Sequence, residues 1–378
     1  MTVSDWHFDA FSGRQGLEEV KRDWEVLYDR VGSAHFHQHP VWFAAYLEFL
    51  CDDVSVPRLL TLRRGTELMG VWPLTAVRGA GGLRLRELVA LCNEHMTHAD
   101  MLIDPASSDA GGRMLGHLLA DMPRWDRLRV PRLREDAKLE ASLRERMQRG
   151  VLRTPAEGSA WLDCTVPFED LWRRASANHR SKVTRGWSKA RQVGTPRFEC
   201  ASTSEMILPA LEVFMDIEAS GWKGRAGTAI RQSGRLAGFY RHLALEFSQR
   251  RMCEIDVLYL GERPVASVFW FRSGGSLHLQ KIGYEESLSK LGPGNLVMHE
   301  AISRACEDDA IRTISFITRC PWADGWRTSL AAVNEVTAYH SSWRGRLLHA
   351  AALAKQRWRA SAKRRTGTLG TQLDDAGE

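Results

Sequence analysis

The chain has 378 residues, of which 44% are hydrophobic, 26% charged and 9% aromatic, with a formal net charge of +6. These values exclude collagen-like, disordered and disulfide-scaffold proteins and leave room for two globular domains. The seven cysteines contain no CxxC pair, so the sequence has no readable zinc or dithiol motif. No apolar run approaches the roughly 18–20 residues of a membrane-spanning helix, and the first ten residues lack a signal-peptide pattern. We therefore expect a cytoplasmic location.

Apolar periodicity divides the first half of the chain into helices and short strands. An amphipathic helix is predicted over 17–31, and a second over 41–50 with Pro40 before its first turn. The remaining predicted elements are strands over 58–62, 68–77, 85–91, 99–103, 128–130 and 161–164, and helices over 113–121 and 137–149. Gly65 is expected to form the turn of a hairpin between the first two strands.

The second half opens with helices in a basic segment and continues with a strand-rich region. The predicted helices cover 168–180, 183–192, 207–220, 234–251 and 295–307, and the predicted strands cover 198–201, 253–260, 264–271, 276–282, 313–317 and 333–340. Both halves contain three consecutive strands, a glycine-led helix and another strand, with Gly65 and Gly261 in matching turns. We interpret this order as a degenerate duplication of one α/β unit that has a mixed sheet and flanking helices.

Positive charge is concentrated in two segments. Residues 173–197 and 344–365 each contain eight Lys/Arg and no Asp/Glu. Such blocks are typical either of a solvated helix face or of a surface that contacts phosphates, nucleic acid or anionic lipid. Charge alone does not choose among these interpretations.

Several motifs follow one another in a recognisable order. They are Phe36-x-x-x-Pro40-x-Trp42, a basic helix with His179, Arg180, Lys182 and Arg185, Glu218-x-x-Gly221-Trp222-Lys223-Gly224, Lys281-x-Gly283-Tyr284-Glu285, Leu291-Gly292-Pro293-Gly294-x-Leu296, and Trp322 with Trp326. With them the second half resembles the acyltransferase domain of the GNAT superfamily, of the CelD/BcsL type associated with bacterial exopolysaccharide synthesis. That group is similar to the Fem-type aminoacyl transferases, which carry two GNAT units in tandem.

The resemblance implies an α/β (α+β) fold of two tandem GNAT-like units, each with a mixed, mostly antiparallel sheet flanked by helices. Its expected boundaries are a diverged first unit over 1–160, an acyltransferase unit over 161–345, and a basic, partly disordered tail over 346–378. The first unit's glycine junction, Gly111-Gly112, is expected to have lost cofactor binding.

The resemblance also implies where an acyl-CoA donor would bind. Gly292, Gly294 and the opening amides of the next helix, at Asn295 and Leu296, would hold its pyrophosphate, because unpaired amides and the helix dipole favour an anion. The strand with Lys281 would pair with the pantetheine arm. The loop departs from the commoner Gln/Arg-x-x-Gly-x-Gly/Ala form, so an ordinary loop and an aminoacyl-tRNA donor stay open as alternatives.

Residues for the acceptor and for proton transfer follow from the same resemblance. Glu218 is the candidate general base for an acceptor amine, His299 a competing base, and Tyr284 a donor of a proton to the leaving thiolate. The candidate acceptor contacts are Trp222, Lys223, Trp322 and Trp326. A capped helix end, a helix-surface histidine and packed tryptophans are the structural alternatives.

We predict no metal ion. His35, His37 and His39 alternate, but Pro40 and a helix follow at once, so no strand face is sustained there. No metal ion is predicted at Glu94, His95 and His98 either.

Three functions are compatible with these residues. The first is an acyl-CoA-dependent N-acyltransferase that acts on an amino sugar or another amine-bearing intermediate. The second is transfer from an aminoacyl-tRNA held by the basic segments. The third is a non-catalytic GNAT-like module that uses its basic tail to bind a partner, a nucleotide or a membrane surface.

Overall fold

A computed structural model describes residues 5–52, 56–78, 85–121 and 125–374. Eleven helices are assigned there: α1 (Gly13–Arg30), α2 (Pro40–Ala45), α3 (Ala110–Asp121), α4 (Lys138–Met147), α5 (Phe168–Arg174), α6 (Ala177–Val193), α7 (Ser204–Ser220), α8 (Trp222–Arg225), α9 (Gly234–Gln249), α10 (Pro293–Glu307) and α11 (Trp343–Asp374). A π-helical turn, Tyr46–Leu50, extends α2. Shorter 3-10 turns include Glu286–Leu291 and Pro321–Trp326.

Fifteen strands form two sheets within the same residues. They are β1 (Trp6–Ser12), β2 (Arg58–Arg64), β3 (Glu67–Arg78), β4 (Arg86–Ala90), β5 (Leu102–Ile103), β6 (Arg127–Arg134), β7 (Val151–Pro155), β8 (Ser159–Asp163), β9 (Pro196–Ala201), β10 (Cys253–Leu260), β11 (Arg263–Ser273), β12 (Ser276–Tyr284), β13 (Thr313–Ser315), β14 (Ser329–Ala331) and β15 (Val333–Tyr339). The first sheet has the order β1-β2-β3-β4-β6-β15-β7, with β5 on β3. The second has the order β9-β10-β11-β12-β13-β8-β14.

The two sheets confirm the predicted duplication. In each, three antiparallel strands are followed by a parallel neighbour that the chain reaches through a helix, β4 to β6 in the first and β12 to β13 in the second. Gly65 and Gly261 turn the corresponding hairpins with φ of +56° and +61°, a conformation that glycine adopts without a Cβ penalty. The fold is therefore α/β, with two tandem units whose mixed sheets are flanked by helices.

The two units exchange one strand each. β8 follows β7 in the chain but inserts between β13 and β14 of the second sheet, and β15 follows β14 but inserts between β6 and β7 of the first. The two crossing segments lie side by side, since the Ala156 N–H donates to the Val333 carbonyl at 2.9 Å. The division at 345 is thus wrong for the strand predicted over 333–340, because its hydrogen-bonding partners belong to the first sheet.

Three apolar clusters make up the core. One lies between the units and joins helix α1 and the segment around α2 to α7, α9 and strands β10 and β11. The other two fill the opposite faces, between the second sheet and α5, α6 and α10, and between the first sheet and α3 and α4. The shared cluster and the exchanged strands make the two units one packed body. No helix in the described ranges is long and apolar enough to cross a membrane.

Other differences from the predicted elements are local. The helix predicted over 168–180 ends at Arg174, because Ser176 caps a new helix by accepting the His179 N–H at 3.2 Å. Helix α3 begins at Ala110, so Gly111 and Gly112 lie in its first turn. The strands β1, β7 and β14 were not predicted. The tail expected to be partly disordered contains α11, which extends to Asp374.

Candidate functional site

Strand β12 has an edge that no described strand covers beyond its first three residues. Its parallel pairing with β13 joins 276–278 to 313–315 only, and the residues that follow, 316–318, hydrogen-bond to β8 on the other side. The register with β11 shifts between Phe269 and Trp270, so that Gln280 is an extra residue, a β-bulge. A bulge turns consecutive side chains to the same face and is common next to active sites. Residues 279–284 therefore offer free backbone groups beside two polar side chains.

The bulge directs Gln280 and Lys281 towards the first unit. Gln280 Nε2 donates to Tyr240 Oη at 3.1 Å, and Tyr240 Oη lies 2.9 Å from His95 Nδ1, which reaches in from the loop between β4 and β5. Lys281 Nζ lies 5.8 Å from the centre of the Tyr240 ring. We refer to His95, Glu218, Tyr240, Gln280 and Lys281 as the bulge cluster.

Burial controls protonation in the bulge cluster. Desolvation, with the positive charge of Lys281 as a smaller cause, lowers the pKa of His95 to about 4, so its imidazole is neutral near pH 7. The Tyr240 hydroxyl thus joins Gln280, which donates to it, to the neutral imidazole of His95. Desolvation also lowers the pKa of Lys281, helped by the charge of Lys223 and opposed by Glu218 and Glu94. A buried ammonium with a lowered pKa is a frequent feature of functional sites.

Glu218 lies next to this edge, at the end of α7. A Cβ built on Gly283 would lie 3.3 Å from Glu218 Cα, so strand and helix are in close contact there. The carboxylate is buried and both oxygens are used: Oε1 accepts from Lys223 Nζ at 2.7 Å and Oε2 from the Ile230 N–H at 2.9 Å. These bonds fix the segment after α7 and favour a positioning role for Glu218 over that of a general base.

The structure explains why glycine is frequent in and after the Gly-Trp-Lys-Gly motif. A Cβ on Gly224 would clash with the Ala219 carbonyl oxygen, and Gly227, three residues after the motif, has a φ of +74°. Glu286, in the 3-10 turn before α10, accepts the Trp222 N–H at 2.7 Å and an Arg225 N–H at 2.6 Å. The motif is therefore a tight turn that links the end of α7 to the segment before α10.

The opening of α10 differs from the expected phosphate cradle. Gly292 has a left-handed conformation with φ of +67°, and its carbonyl accepts the N–H groups of Asn295 at 2.9 Å and Leu296 at 3.2 Å. Pro293 has no N–H. Of the first amides, that leaves the Gly294 N–H for an anion, so Asn295 and Leu296 do not offer the unpaired amides that the resemblance implied.

Helix α6 borders this opening with a basic surface. Gly186 packs against the Leu291 carbonyl and Leu296, and the side chains of Lys182, Arg185, Lys189 and Arg191 are exposed. No ion pair joins these four bases to a carboxylate within the described ranges. The Gly294 N–H and this face together can attract a phosphate-bearing molecule.

The other predicted site residues are divided between surface and core. Tyr284 is 40% exposed and its ring touches Gly294, while Trp222 and Trp322 are 59% and 40% exposed. Trp326 is 2% exposed, in the core between the second sheet and α5, α6 and α10, so its predicted contact with an acceptor is wrong. The His299 ring is edge-on to Trp172 at 4.8 Å on that same side of the sheet, opposite the bulge cluster. It is not placed to act with Glu218.

Histidines also meet between the units. The rings of His35, His37, His98 and His278 lie 4.4–5.7 Å apart between neighbouring centres, and burial lowers the pKa of each. His39 instead caps α2 by accepting the Val41 N–H. In the described part of the chain no group of histidine, cysteine or acidic residues is arranged to hold a metal ion.

A cavity of about 400 Å³ lies in the first unit, where we expected cofactor binding to have been lost. It is lined by the first turn of α3 at Gly111 and Gly112, and by Asp100, Arg134 and Lys138. Burial raises the pKa of Asp100 to about 6. A second cavity of about 20 Å³ adjoins it, and neither is lined by residues 292–296. The first unit thus keeps a ligand-sized space at its own glycine junction.

Sequence reasoning missed His95, Tyr240 and Gln280. They come from a loop, a helix and a strand far apart in the chain, and each alone has the pattern of an ordinary element. The only sequence feature that pointed to His95 was indirect: Glu94 and His95 are adjacent potential metal ligands.

Comparisons with known proteins agree with this architecture. Residues 177–325 match the family model described as "Acetyltransferase (GNAT) domain". These residues lie within the second unit. No curated protein matches the sequence.

Solved structures extend the likeness to both units. FemX is similar at a TM-score of 0.57 and 12% identity, over 84% of this chain and 96% of that one. The C-terminal domain of a proposed lysylphosphatidylglycerol synthetase from Agrobacterium fabrum has a TM-score of 0.52 at 10% identity, covering 88% and 96%. A conserved protein of unknown function from Bacteroides thetaiotaomicron has a TM-score of 0.52 at 9% identity, covering 84% and 97%. Identities this low show a shared fold.

Proposed function

We propose that the protein is an acyltransferase that moves an acyl group from acyl-CoA to an amine at the exposed edge of β12. The acceptor class we favour is an amino sugar or another amine-bearing intermediate, and the exopolysaccharide setting rests on the motif resemblance alone. The observation that carries the proposal is the bulge at Gln280. It begins an unpaired edge that has Lys281 and Glu218 on one face and Gly294 and Tyr284 on the other.

The edge suits a donor with an extended, amide-bearing arm. Residues 279–284 can pair with such an arm as an added strand, because their outward N–H and C=O groups have no partner strand in the described ranges. The phosphates would lie at the Gly294 N–H and the exposed bases of α6. Tyr284 stands where the arm would enter, next to Gly294.

The reaction requires charge stabilisation more than a covalent intermediate. The amine nitrogen attacks the thioester carbonyl carbon, the carbon–sulfur bond breaks, and the thiolate takes up a proton as the nitrogen loses one. We propose that Lys281 stabilises the negative charge that develops on the carbonyl oxygen, since a partly desolvated ammonium interacts more strongly with such a charge. Glu218 holds Lys223 and the turn after α7.

A second donor, aminoacyl-tRNA, is favoured by one observation. Helix α6, which packs against the opening of α10 at Gly186, has four exposed bases without ion pairs to described carboxylates, and a tRNA backbone would bind such bases. This donor predicts an affinity that falls steeply with salt, in proportion to the number of phosphates neutralised. A flat salt response would exclude it.

Calorimetry with acetyl-CoA tests both whether acyl-CoA is the donor and which of the two units binds it. Gly294→Val places a side chain against Tyr284 at the second unit's edge, and Gly111→Val is the matched variant at the first unit's cavity; neither glycine has a positive φ. We expect the first variant to lose binding and the second to keep it. The reverse result would move the donor to the first unit, and no binding by the unaltered protein at millimolar acetyl-CoA would overturn the proposal.

A further inference from the structure

Helix α11 is anchored to the first unit at its beginning. Gly345 is buried, the His349 ring lies 5.3 Å from the ring of Tyr339 in β15, and Arg344 Nε lies 3.6 Å from the carboxylate of Asp126. These contacts define an inner face, with Leu348 and Leu353 half-buried on the same side. The opposite face points to solvent.

That outer face is apolar. Trp343, Leu347 and Trp358 are 72%, 58% and 70% exposed, and Ala350, Ala351 and Ala354 are exposed between them. At 100° per residue all six fall within about a third of the helix circumference, so they form one continuous stripe. Large exposed tryptophans at both ends of such a stripe are unusual on a surface that faces only water.

Bases border the stripe on both sides. Arg346 and Arg357 fall along one edge and Lys355 along the other, and no ion pair joins these three to a carboxylate in the described ranges. The segment 344–365 has eight Lys/Arg and no acid. An apolar stripe between rows of bases matches a surface that presents hydrocarbon below a layer of negative charge.

We propose that α11 is a membrane-surface helix that lies along an anionic bilayer, with Trp343, Leu347 and Trp358 in the headgroup layer and its bases on lipid phosphates. A second copy of the chain fits less well, since pairing two such faces would bring bases against bases. Nucleic acid would engage the bases and leave the apolar stripe in water. The proposal does not depend on the acyltransferase activity.

Co-sedimentation of the full chain with vesicles tests this helix. We expect binding to phosphatidylcholine vesicles that contain phosphatidylglycerol and little binding to phosphatidylcholine alone. Trp343→Ser/Trp358→Ser should weaken binding about ten-fold or more. Arg346→Gln/Arg357→Gln should weaken it roughly five-fold for each base removed, at low salt.

Controls separate this helix from the other basic surface and from misfolding. Lys182→Gln/Arg185→Gln on α6 removes equal charge and should leave vesicle binding unchanged. All the substituted side chains are exposed, so melting followed by circular dichroism should not shift.

Equal binding to both vesicle types, or binding unaffected by the tryptophan changes, would overturn the proposal. A dimer seen in light scattering, together with no binding to vesicles, would also overturn the proposal if the dimer dissociates when Trp343 and Trp358 are replaced. RNA binding that needs Arg346 and Arg357 but not the tryptophans would overturn it as well.

Discussion

Replacing Glu218 by glutamine tests whether this carboxylate positions the site or acts as its base. The side chain is 2% exposed and binds Lys223 Nζ and the Ile230 N–H with separate oxygens. Glutamine keeps the shape but has one acceptor oxygen, so one of the two donors must face its NH2 group.

The expected cost is about 2 kcal/mol. A hydrogen bond to a charged group contributes about 1.5–3 kcal/mol, and the 24% exposure of Lys223 places this one in the lower part of that range. Lys223→Met should cost about 2 kcal/mol as well, because the buried carboxylate loses this bond and keeps only the one to Ile230. The double variant removes both the unpaired carboxylate and the clash between the NH2 group and the ammonium, so it should lose less stability than either single variant.

Urea unfolding of the unaltered protein, the two single variants and the double variant near pH 7 gives the double-mutant cycle. An acyl-transfer assay on the same samples shows whether Glu218 positions the site or acts as its base. We expect the double variant to recover activity as well as stability, because the glutamine oxygen can still accept the Ile230 N–H and hold the turn after α7. If Glu218 is the general base, the double variant stays inactive although its stability returns. Additive losses of stability would show that the two side chains do not interact, and would refute the reasoning.

Three further outcomes follow from the packing. Arg304→Met leaves Asp256 buried without its cation, while Glu254 keeps its ion pair with Arg272, and should cost about 3–5 kcal/mol near pH 7. Burial raises the pKa of Asp256, so protonation of Asp256 as the pH falls should narrow the stability difference from the unaltered protein in unfolding titrations. A chain ending after residue 332 should not fold, because β6 and β7 lose β15, whereas one ending after 341 should give a cooperative melt. Trp326→Ala should cost about 3–5 kcal/mol in the same titrations and Trp222→Ala less than about 0.5 kcal/mol; similar costs would contradict their burial.

Local pattern determined most of the elements and the duplication. The helix predicted over 207–220 and the strand predicted over 253–260 match α7 and β10 closely, because α7 has one buried apolar stripe and β10 is a short, almost continuously buried run. The turns at Gly65 and Gly261 could be placed for a similar reason, since the hairpins need a positive φ there. These features depend on neighbours within a few residues of each other.

The exchange of β8 and β15 could not be predicted in this way. The connections at 156–158 and at residue 332 are compatible with strands that stay in their own sheet, and only the pairing of the two sheets decides which neighbour each strand meets. The burial of Trp326 could not be predicted either, because tryptophan packs both in cores and at binding surfaces.

The sequence by itself determined that the chain holds two α/β units of one kind, with a glycine-led helix after the third strand of each repeat. The tertiary structure decided the site. Gln280 reaches Tyr240, and Tyr240 reaches His95, because a bulge against β11 and the packing of the units bring them together. The left-handed turn at Gly292 decides which amides of α10 stay free. The physical reason is that these contacts join residues far apart in the chain, so no local periodicity records them.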